Sequence, residues 1–154
     1  MFDNAPDALK FLKGGNATIT LTSAKSGEHF TFKVQRPTRT TEAGGKVRDH
    51  DADVFFVKGL HGSPDVWEDW HFVGTLFEND LTLRQKRGSH PSEKSDSFKA
   101  LEWTLGWLRE GRIPSDLTIQ HEGSCCRCGR TLTHPESIES GIGPECAKHF
   151  GGAA

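Results

Sequence analysis

The sequence predicts an α+β protein in which an antiparallel sheet of about five strands is covered by a helix and followed by a small cysteine-containing module. Three observations support this prediction. Short segments alternate apolar and polar residues across hairpin-sized gaps, which is typical of antiparallel strands. One long apolar stripe at helical spacing follows them, and four cysteines lie beyond it. We therefore expect a body over residues 1–113 and a C-terminal module over residues 114–154.

A short helix is predicted near the start of the chain, from about residue 4 to residue 13. Asn4 or Asp3 could cap this helix, and the pair Gly14-Gly15 would end it. Strands are predicted where apolar and polar residues alternate, or where an apolar run lies between turn residues. The predicted strands cover residues 17–22, 29–34, 54–57, 70–77 and 81–84.

Two further segments of the chain carry a weaker pattern. Residues 36–53 have no apolar period and contain Pro37 and Gly44-Gly45, so we expect a long loop with a functional or mobile character. Residues 117–120 alternate again and would add a strand, either to the main sheet or to the C-terminal module.

The longest predicted helix spans about residues 97–110 and ends before Gly111. Its apolar stripe would cover the sheet and consists of Phe98, Leu101, Leu105 and Leu108. Trp103 and Trp107 adjoin this stripe, and we expect all six large side chains to pack in the core. Gly106 indicates a close approach between this helix and another element.

Charge is segregated along a chain whose formal net charge is only −2. This balance excludes a molecule that attracts nucleic acid over its whole surface. Basic residues dominate residues 33–48 and 84–94, whereas acidic residues dominate residues 49–69. The two basic stretches form either one positive face after folding or two solvated loops. Trp67 and Trp70 would either stack on bases or cover the sheet.

The spacing of four residues in the C-terminal module is typical of a structural zinc site. Cys125 and Cys128 form a Cys-x-x-Cys pair, and Cys146 and His149 form a Cys-x-x-His pair. Two short loops that each present two such ligands can bind one Zn²⁺ ion tetrahedrally. Gly129 would supply the positive φ that turns backbone N–H groups toward the thiolates.

The fourth zinc ligand has several candidates. His149 is preferred, because a helix that begins at Pro144 would place it on the same face as Cys146. The alternatives are Cys126, His134 and His121. A knuckle, a turn and a ligand-bearing helix together form a treble-clef-like zinc module.

The same stretch resembles a known family. Its motifs CxxCGRxLT, PES and GIGPEC resemble those of small, largely uncharacterised zinc-finger domains found in phage, prophage and bacterial proteins. The matching residues are Cys125, Cys128, Gly129, Arg130, Leu132, Thr133, Pro135, Ser137, Gly141, Ile142, Gly143, Pro144 and Cys146. The resemblance implies zinc at the three cysteines and a phage or mobile-element setting. It implies no particular activity.

The sequence has neither an apolar run long enough to cross a membrane nor a recognisable targeting peptide. We therefore expect a cytoplasmic protein without a membrane partner, in the host cytoplasm if a phage encodes it. Thiols stay reduced there, so two disulfides are disfavoured against a metal site. The sequence predicts no particular oligomeric state.

Three classes of function fit these observations. The slightly favoured one is a nucleic-acid-associated accessory protein with structural zinc, whose basic side chains contact phosphate. The candidate contacts are Arg127, Arg130, Arg84, Lys86 and Arg87. The second is a protein-interaction adaptor, or an inhibitor of a host machine, that meets its partner through residues 49–69. The third, a zinc-dependent or thiol enzyme, is disfavoured because four close ligands indicate a closed site.

Overall fold

The structure is a computed structural model that describes residues 1–85, 96–133 and 135–148. The elements, in chain order, are α1 (Ala5–Leu12), β1 (Asn16–Ser23), β2 (His29–Gln35), β3 (Thr38–Thr40), β4 (Lys46–Arg48), β5 (Val54–Leu60), a 3-10 turn (Trp67–Asp69), β6 (Trp70–Phe77), β7 (Thr82–Arg84), α2 (Asp96–Arg109), β8 (Leu117–His121), α3 (Pro135–Ser140) and α4 (Pro144–Ala147). Within the described ranges, no helix has the length and apolar character needed to cross a membrane.

The main sheet has six strands in the order β7-β6-β5-β2-β1-β8, and each neighbouring pair is antiparallel. The predicted α+β class with an antiparallel sheet is therefore confirmed. The sequence left two places for the last strand, and the structure places β8 in the main sheet beside β1. This addition gives six strands where about five were expected.

The inner face of the sheet carries the core. Ile19 pairs with Phe32 and Val34 pairs with Val57, and all four side chains are buried. They form one apolar cluster with the buried side chains of α1 and α2. Both helices therefore lie on this face of the sheet. Burial of large apolar side chains is the main stabilising contribution to such a core.

The outer face is the opposite side of the sheet, and it bears Thr18, Lys33, Phe56, Lys58 and Phe72. Successive side chains of a strand point to opposite sides, so these residues alternate with the buried ones. The register lines three of them up in one row, since Thr18 lies opposite Lys33 and Lys33 lies opposite Lys58. The outer face points away from both α1 and α2.

Helix α1 forms where the sequence predicts it. Asn4 is its N-cap, and the Asn4 side chain accepts a hydrogen bond from the backbone N–H of Asp7 at 2.9 Å. The helix ends before Gly14 and Gly15. Its buried side chains, Phe11 among them, pack into the core.

Helix α2 also forms where predicted, and its stripe of four apolar side chains is buried. Two expectations about this helix are wrong. Trp103 is 48% exposed, and its ring packs edge-on against Trp107 with the centroids 6.2 Å apart, outside the core. Gly106 does not mark a close approach to another element. Apart from the backbone of the helix itself, the described atom nearest to a Cβ built on Gly106 is a side-chain nitrogen of Arg109, at 3.6 Å.

Residues 36–53 are not wholly a loop, because they contain a small second sheet made of β3 and β4. Gly44 adopts φ +87° in the turn, and the backbone N–H of Thr41 donates to the carbonyl of Gly45 at 2.7 Å. All three residues of β3 are exposed. This hairpin could not be predicted from alternating apolar residues. Turn geometry and backbone pairing form it, and β3 has no buried face.

Candidate metal centre

Strand β8 leads into a short hairpin that carries the first two candidate ligands. The backbone N–H of Cys125 donates to the carbonyl of Arg130 at 2.8 Å, and that of Leu132 donates to Gly123 at 2.8 Å. Gly129 closes the hairpin with φ +80°, the conformation that the sequence predicts for it. This turn directs the side chains of Cys125 and Cys128 toward one another.

Three cysteine sulfurs converge at this hairpin. The Sγ atoms of Cys125, Cys128 and Cys146 all lie within 4.8 Å of one another. Cys125 is buried, Cys128 is exposed and Cys146 is half-buried. Cys146 reaches the cluster because α4 begins at Pro144, with Gly143 as its N-cap, and Cys146 lies in the first turn. Together, the three side chains could hold one metal ion.

Backbone N–H groups surround the sulfur of Cys125. Those of Arg127 and Gly143 point at its Sγ, at 3.5 and 3.3 Å. Burial alone would raise the pKa of Cys125, but hydrogen bonds from the N–H groups of Cys128, Gly143 and Arg127 outweigh it and lower the pKa to about 7. Cys125 can therefore offer a thiolate to a cation near neutral pH.

Cys146 differs from Cys125 in its electrostatic surroundings. Burial, followed by the adjacent thiols of Cys128 and Cys125, raises the pKa of Cys146 to about 11. A neighbouring thiolate disfavours a second negative charge in the same space. A divalent cation would relieve this repulsion, so metal binding at the cluster must release protons.

Cys126 is not part of the cluster, and its side chain packs against the body of the protein. A Cβ built on Gly14 would lie 2.4 Å from its Sγ, so the thiol packs directly on the Gly14 backbone. Its carbonyl accepts from the N–H of Asn16 at 2.7 Å, and its own N–H donates to Gly141 at 2.9 Å. Burial raises the pKa of Cys126 to about 12. These contacts leave Cys126 poorly suited to bind the same ion.

The histidine candidates have different positions. His121 donates from Nε2 to the carbonyl of Ile138 and accepts at Nδ1 from the N–H of Gly123 at 2.9 Å, so both ring nitrogens are engaged. His149 and His134 lie outside the residues that the structure describes. The choice of His149 as fourth ligand thus stays a prediction.

The module packs on the body through α1. A Cβ built on Gly141 would lie 2.4 Å from the ring of Phe11, and Gly141 has φ +78°. Cys125, Cys126, Leu132 and Ile142 belong to the same apolar cluster as α1 and the inner face of the sheet. The proposed division between residues 113 and 114 therefore separates two parts that share a core, and their independence stays a prediction.

The candidate phosphate contacts do not form one group. Arg127 and Arg130 lie in the hairpin of the module, whereas Arg84 lies on β7, which four other strands separate from β8. Lys86 and Arg87 lie outside the described residues. A continuous patch that combines all five residues is thus not seen in the part of the chain that the structure describes.

Arg36 does not contribute to a phosphate-binding surface, although it begins one of the basic stretches. Its side chain is 7% exposed and pairs with Glu78 at 2.9 Å. Its guanidinium stacks on the ring of Phe55 at 4.0 Å and donates to the carbonyl of Ala52. The sequence gives no sign of this burial, because Arg36 follows directly on a strand among other basic residues.

His50 lies in the segment between β4 and β5, close to Arg127 of the module. Gly15 leaves room for the imidazole ring, since a Cβ there would lie 2.7 Å from Cε1 of His50. Burial, and then the positive charges of Arg127, Arg36 and Arg48, lower the pKa of His50. The module therefore brings Arg127 to a site that already carries basic side chains. The sequence did not predict that His50 lies beside these arginines, because only the fold brings them together.

The fold and the cluster define a candidate metal-binding protein, with an α+β body and three convergent thiols in its C-terminal part. A model described as "Family of unknown function (DUF6011)" matches residues 115–151, which include the whole cluster. The chain is similar to that family over this segment, whose description adds neither a metal nor an activity. Comparison with curated proteins and with solved structures gave no match.

Proposed function

We propose that this protein binds one structural Zn²⁺ ion through the thiolates of Cys125, Cys128 and Cys146, with His149 as the fourth ligand. The convergence of the three sulfurs within 4.8 Å supports this proposal most directly. With Zn–S bonds of about 2.3 Å, sulfurs around a tetrahedral zinc lie about 3.8 Å apart, so a small inward movement would complete the site. Thiolate-rich tetrahedral sites favour zinc over hard cations.

A structural role for zinc fits the surroundings better than a catalytic one. Glu145, the acidic residue next to Cys146 in the chain, is highly exposed and pairs with Lys148 at 3.5 Å. Its carboxylate is solvated and engaged in this ion pair, which is not the held position that a general base beside a metal requires. The N–H groups of Arg127 and Gly143 instead stabilise negative charge on the sulfur of Cys125. A zinc-dependent or thiol enzyme is the weaker alternative.

The proposed zinc would fix the hairpin that carries Arg127 and Arg130. A module of this size gains much of its folding free energy from its metal. The ordered hairpin then keeps Arg127 near His50 and Arg48, where three basic side chains share one region. We propose that this region contacts nucleic-acid phosphate, which makes the protein a nucleic-acid-associated zinc protein.

A protein-interaction adaptor is the second candidate function. Val66 and Trp67 support it, because they are 41% and 74% exposed at the end of the acidic segment that we assign to a partner. Exposed apolar side chains that cluster on a surface often mark protein interfaces. An adaptor of this kind needs no affinity for nucleic acid at low salt, which separates the two candidates.

Filter binding of single- and double-stranded DNA and RNA to the zinc-loaded protein tests the nucleic-acid proposal. We expect affinity that falls steeply as salt rises, and a weaker affinity in R127Q/R130Q. R109Q/R112Q is the matched control. It removes two arginines, one at the last residue of α2 and one just after it, and leaves the hairpin unchanged. Absence of binding at low salt would contradict nucleic-acid association and favour the adaptor.

We also propose that the protein functions in a phage or mobile element, and hence in the cytoplasm of a bacterial host. The resemblance of the module to phage and bacterial zinc fingers supports this setting. Neighbouring genes that encode phage or mobile-element proteins would agree with it. Genes of ordinary host metabolism on both sides would contradict it.

A further inference from the structure

The outer face of the sheet places two lysines directly opposite each other. Lys33 on β2 and Lys58 on β5 are register partners in an antiparallel pair. Like charges in such positions repel and destabilise the sheet. Among the described residues, neither ammonium has a carboxylate partner within ion-pair distance, since the ion pairs found there involve other residues. The repulsion between the two lysines costs free energy, and the packing of the sheet does not explain why both positions carry lysine.

Aromatic rings surround the two lysines. The Nζ of Lys33 lies 4.2 Å from the centre of the Trp70 ring, and the Nζ of Lys58 lies 5.5 Å from that of Trp67. Trp70 is fixed because its Nε1 donates to the carbonyl of Pro64 at 3.1 Å. Trp67 is largely exposed, so much of its ring can accept another planar group. Both ammonium groups are thus oriented by rings instead of by carboxylates.

The aromatic surface continues next to the lysines. Phe72 on β6 is the register partner of Lys58, and it packs edge-on against Phe56 with the ring centres 6.1 Å apart. Phe56 is 40% exposed although it lies in the middle of a central strand. A row of half-exposed rings beside unpaired ammonium groups offers stacking faces and phosphate contacts together.

Further positive charge borders this surface. Burial, followed by the charges of Lys58 and Arg48, lowers the pKa of Lys33, which places Arg48 close to the lysine pair. Arg48 is fixed by a hydrogen bond from Nη1 to the carbonyl of Arg36 at 2.9 Å. At the far edge of the sheet, Arg84 stacks on Phe77 at 5.2 Å. Acidic groups also lie nearby, and one of them, Asp69, accepts from the N–H of Ser63 at 2.8 Å.

We infer that the outer face binds single-stranded nucleic acid, with bases stacked on Trp67 and Phe56 and with phosphates at Lys33 and Lys58. This inference rests on the proposed nucleic-acid association and specifies its ligand and its surface. A single strand is the ligand that fits, because its bases can turn onto a protein ring, whereas paired bases in a duplex stay stacked on one another. The ring faces carry no fixed hydrogen-bond pattern, so the binding is tolerant of base sequence.

Fluorescence anisotropy with a labelled oligothymidylate and the zinc-loaded full chain tests the inference. K33Q/K58Q should weaken binding several-fold and reduce the slope of log K against log salt by about 1.4, since each phosphate contact to a single strand contributes about 0.7. W67A should weaken binding at least about fivefold through lost stacking. K25Q/K99Q removes the same charge from a turn and from α2 and should bind like the wild type. Zinc content and circular dichroism of each variant confirm that it is folded.

Several results would overturn the inference, and they differ from failure of the proposed function. Equal losses in K33Q/K58Q and K25Q/K99Q would mean that overall charge decides affinity, and tighter binding of a duplex of equal length would exclude a single-strand site. Binding that the lysine and tryptophan variants leave unchanged would place the nucleic acid elsewhere. By contrast, a protein that binds neither single strands nor duplexes at low salt would remove the nucleic-acid proposal itself.

Discussion

The thiol of Cys126 lies against the backbone of Gly14, so closely that a Cβ on Gly14 would be 2.4 Å from the sulfur. The same Cβ would lie 2.5 Å from the carbonyl oxygen of Cys126. Cys126 is therefore a packing residue between Cys125 and Cys128 of the candidate cluster, and its side chain contacts the body at Gly14. The contact couples the candidate metal centre to the end of α1.

G14A should destabilise the protein, because the added methyl group has no space beside Cys126. Overpacking of this kind costs about 1–3 kcal/mol. Urea unfolding of the zinc-loaded protein measures the change. G45A is the control, because the nearest atom to its Cβ is an oxygen of Thr41 at 3.5 Å. Equal stabilities of G14A and G45A would contradict the close packing.

R36M should lower the free energy of unfolding by about 2 kcal/mol, because it removes the bonds of a buried guanidinium to Glu78 and to the carbonyl of Ala52, while the one-third exposed Glu78 keeps part of its hydration. Oligothymidylate affinity should stay unchanged once R36M is folded, since Arg36 does not face the outer surface. R39M is the control. Arg39 is exposed on β3, so this substitution should have little effect on stability. A stable R36M that has lost nucleic-acid binding would reverse this assignment.

Stability should fall as the pH falls below the ordinary pKa of histidine, in part through His50. Burial, then the charges of Arg127, Arg36 and Arg48, hold the pKa of His50 below its ordinary value of 6.5 in the folded state. The unfolded chain thus binds more protons between the two pKa values, and the stability present above 6.5 is lost on acidification. H50Q should show a shallower loss between pH 7 and pH 5 in denaturant unfolding. The exposed His29 gives the control H29Q, and equal profiles for H50Q and the wild type would contradict the prediction.

Removal of zinc should unfold the C-terminal module, including β8, and loosen α1, while the other strands of the main sheet remain folded. Phe11 packs on Gly141, so α1 loses part of its support when the module opens. Amide hydrogen exchange after chelation should show loss of protection in residues 114–148 and in α1, with protection kept in β2, β5 and β6. Cooperative loss of protection throughout the chain would contradict a division near residue 113.

Local patterns predicted much of this fold. Alternation located the strands of the main sheet, and the cap at Asn4 located α1, because these signals lie within a few adjacent residues. Gly129 and Pro144 likewise indicated the knuckle and the start of α4. The hairpin of β3 and β4 was missed, since its exposed strands have no apolar period.

Relationships between distant residues could not be predicted in this way. The Lys33–Lys58 pair depends on the register of strands that are not consecutive in the chain. Because Cys126 lies between Cys125 and Cys128 in the sequence, it was a candidate metal ligand. Its position in the fold is instead set by packing against Gly14. Such pairings are set by tertiary packing, which a single sequence reveals only indirectly.

Metal content of protein purified without chelators tests the central claim most directly. We expect one zinc per chain in the wild type and in C126S, and almost none in C128S or C146S, because Cys126 packs in the core while the other two belong to the cluster. C126S should be less stable, but it should retain its metal. Wild-type protein without zinc, or a C126S variant that loses metal as completely as C128S, would contradict the account.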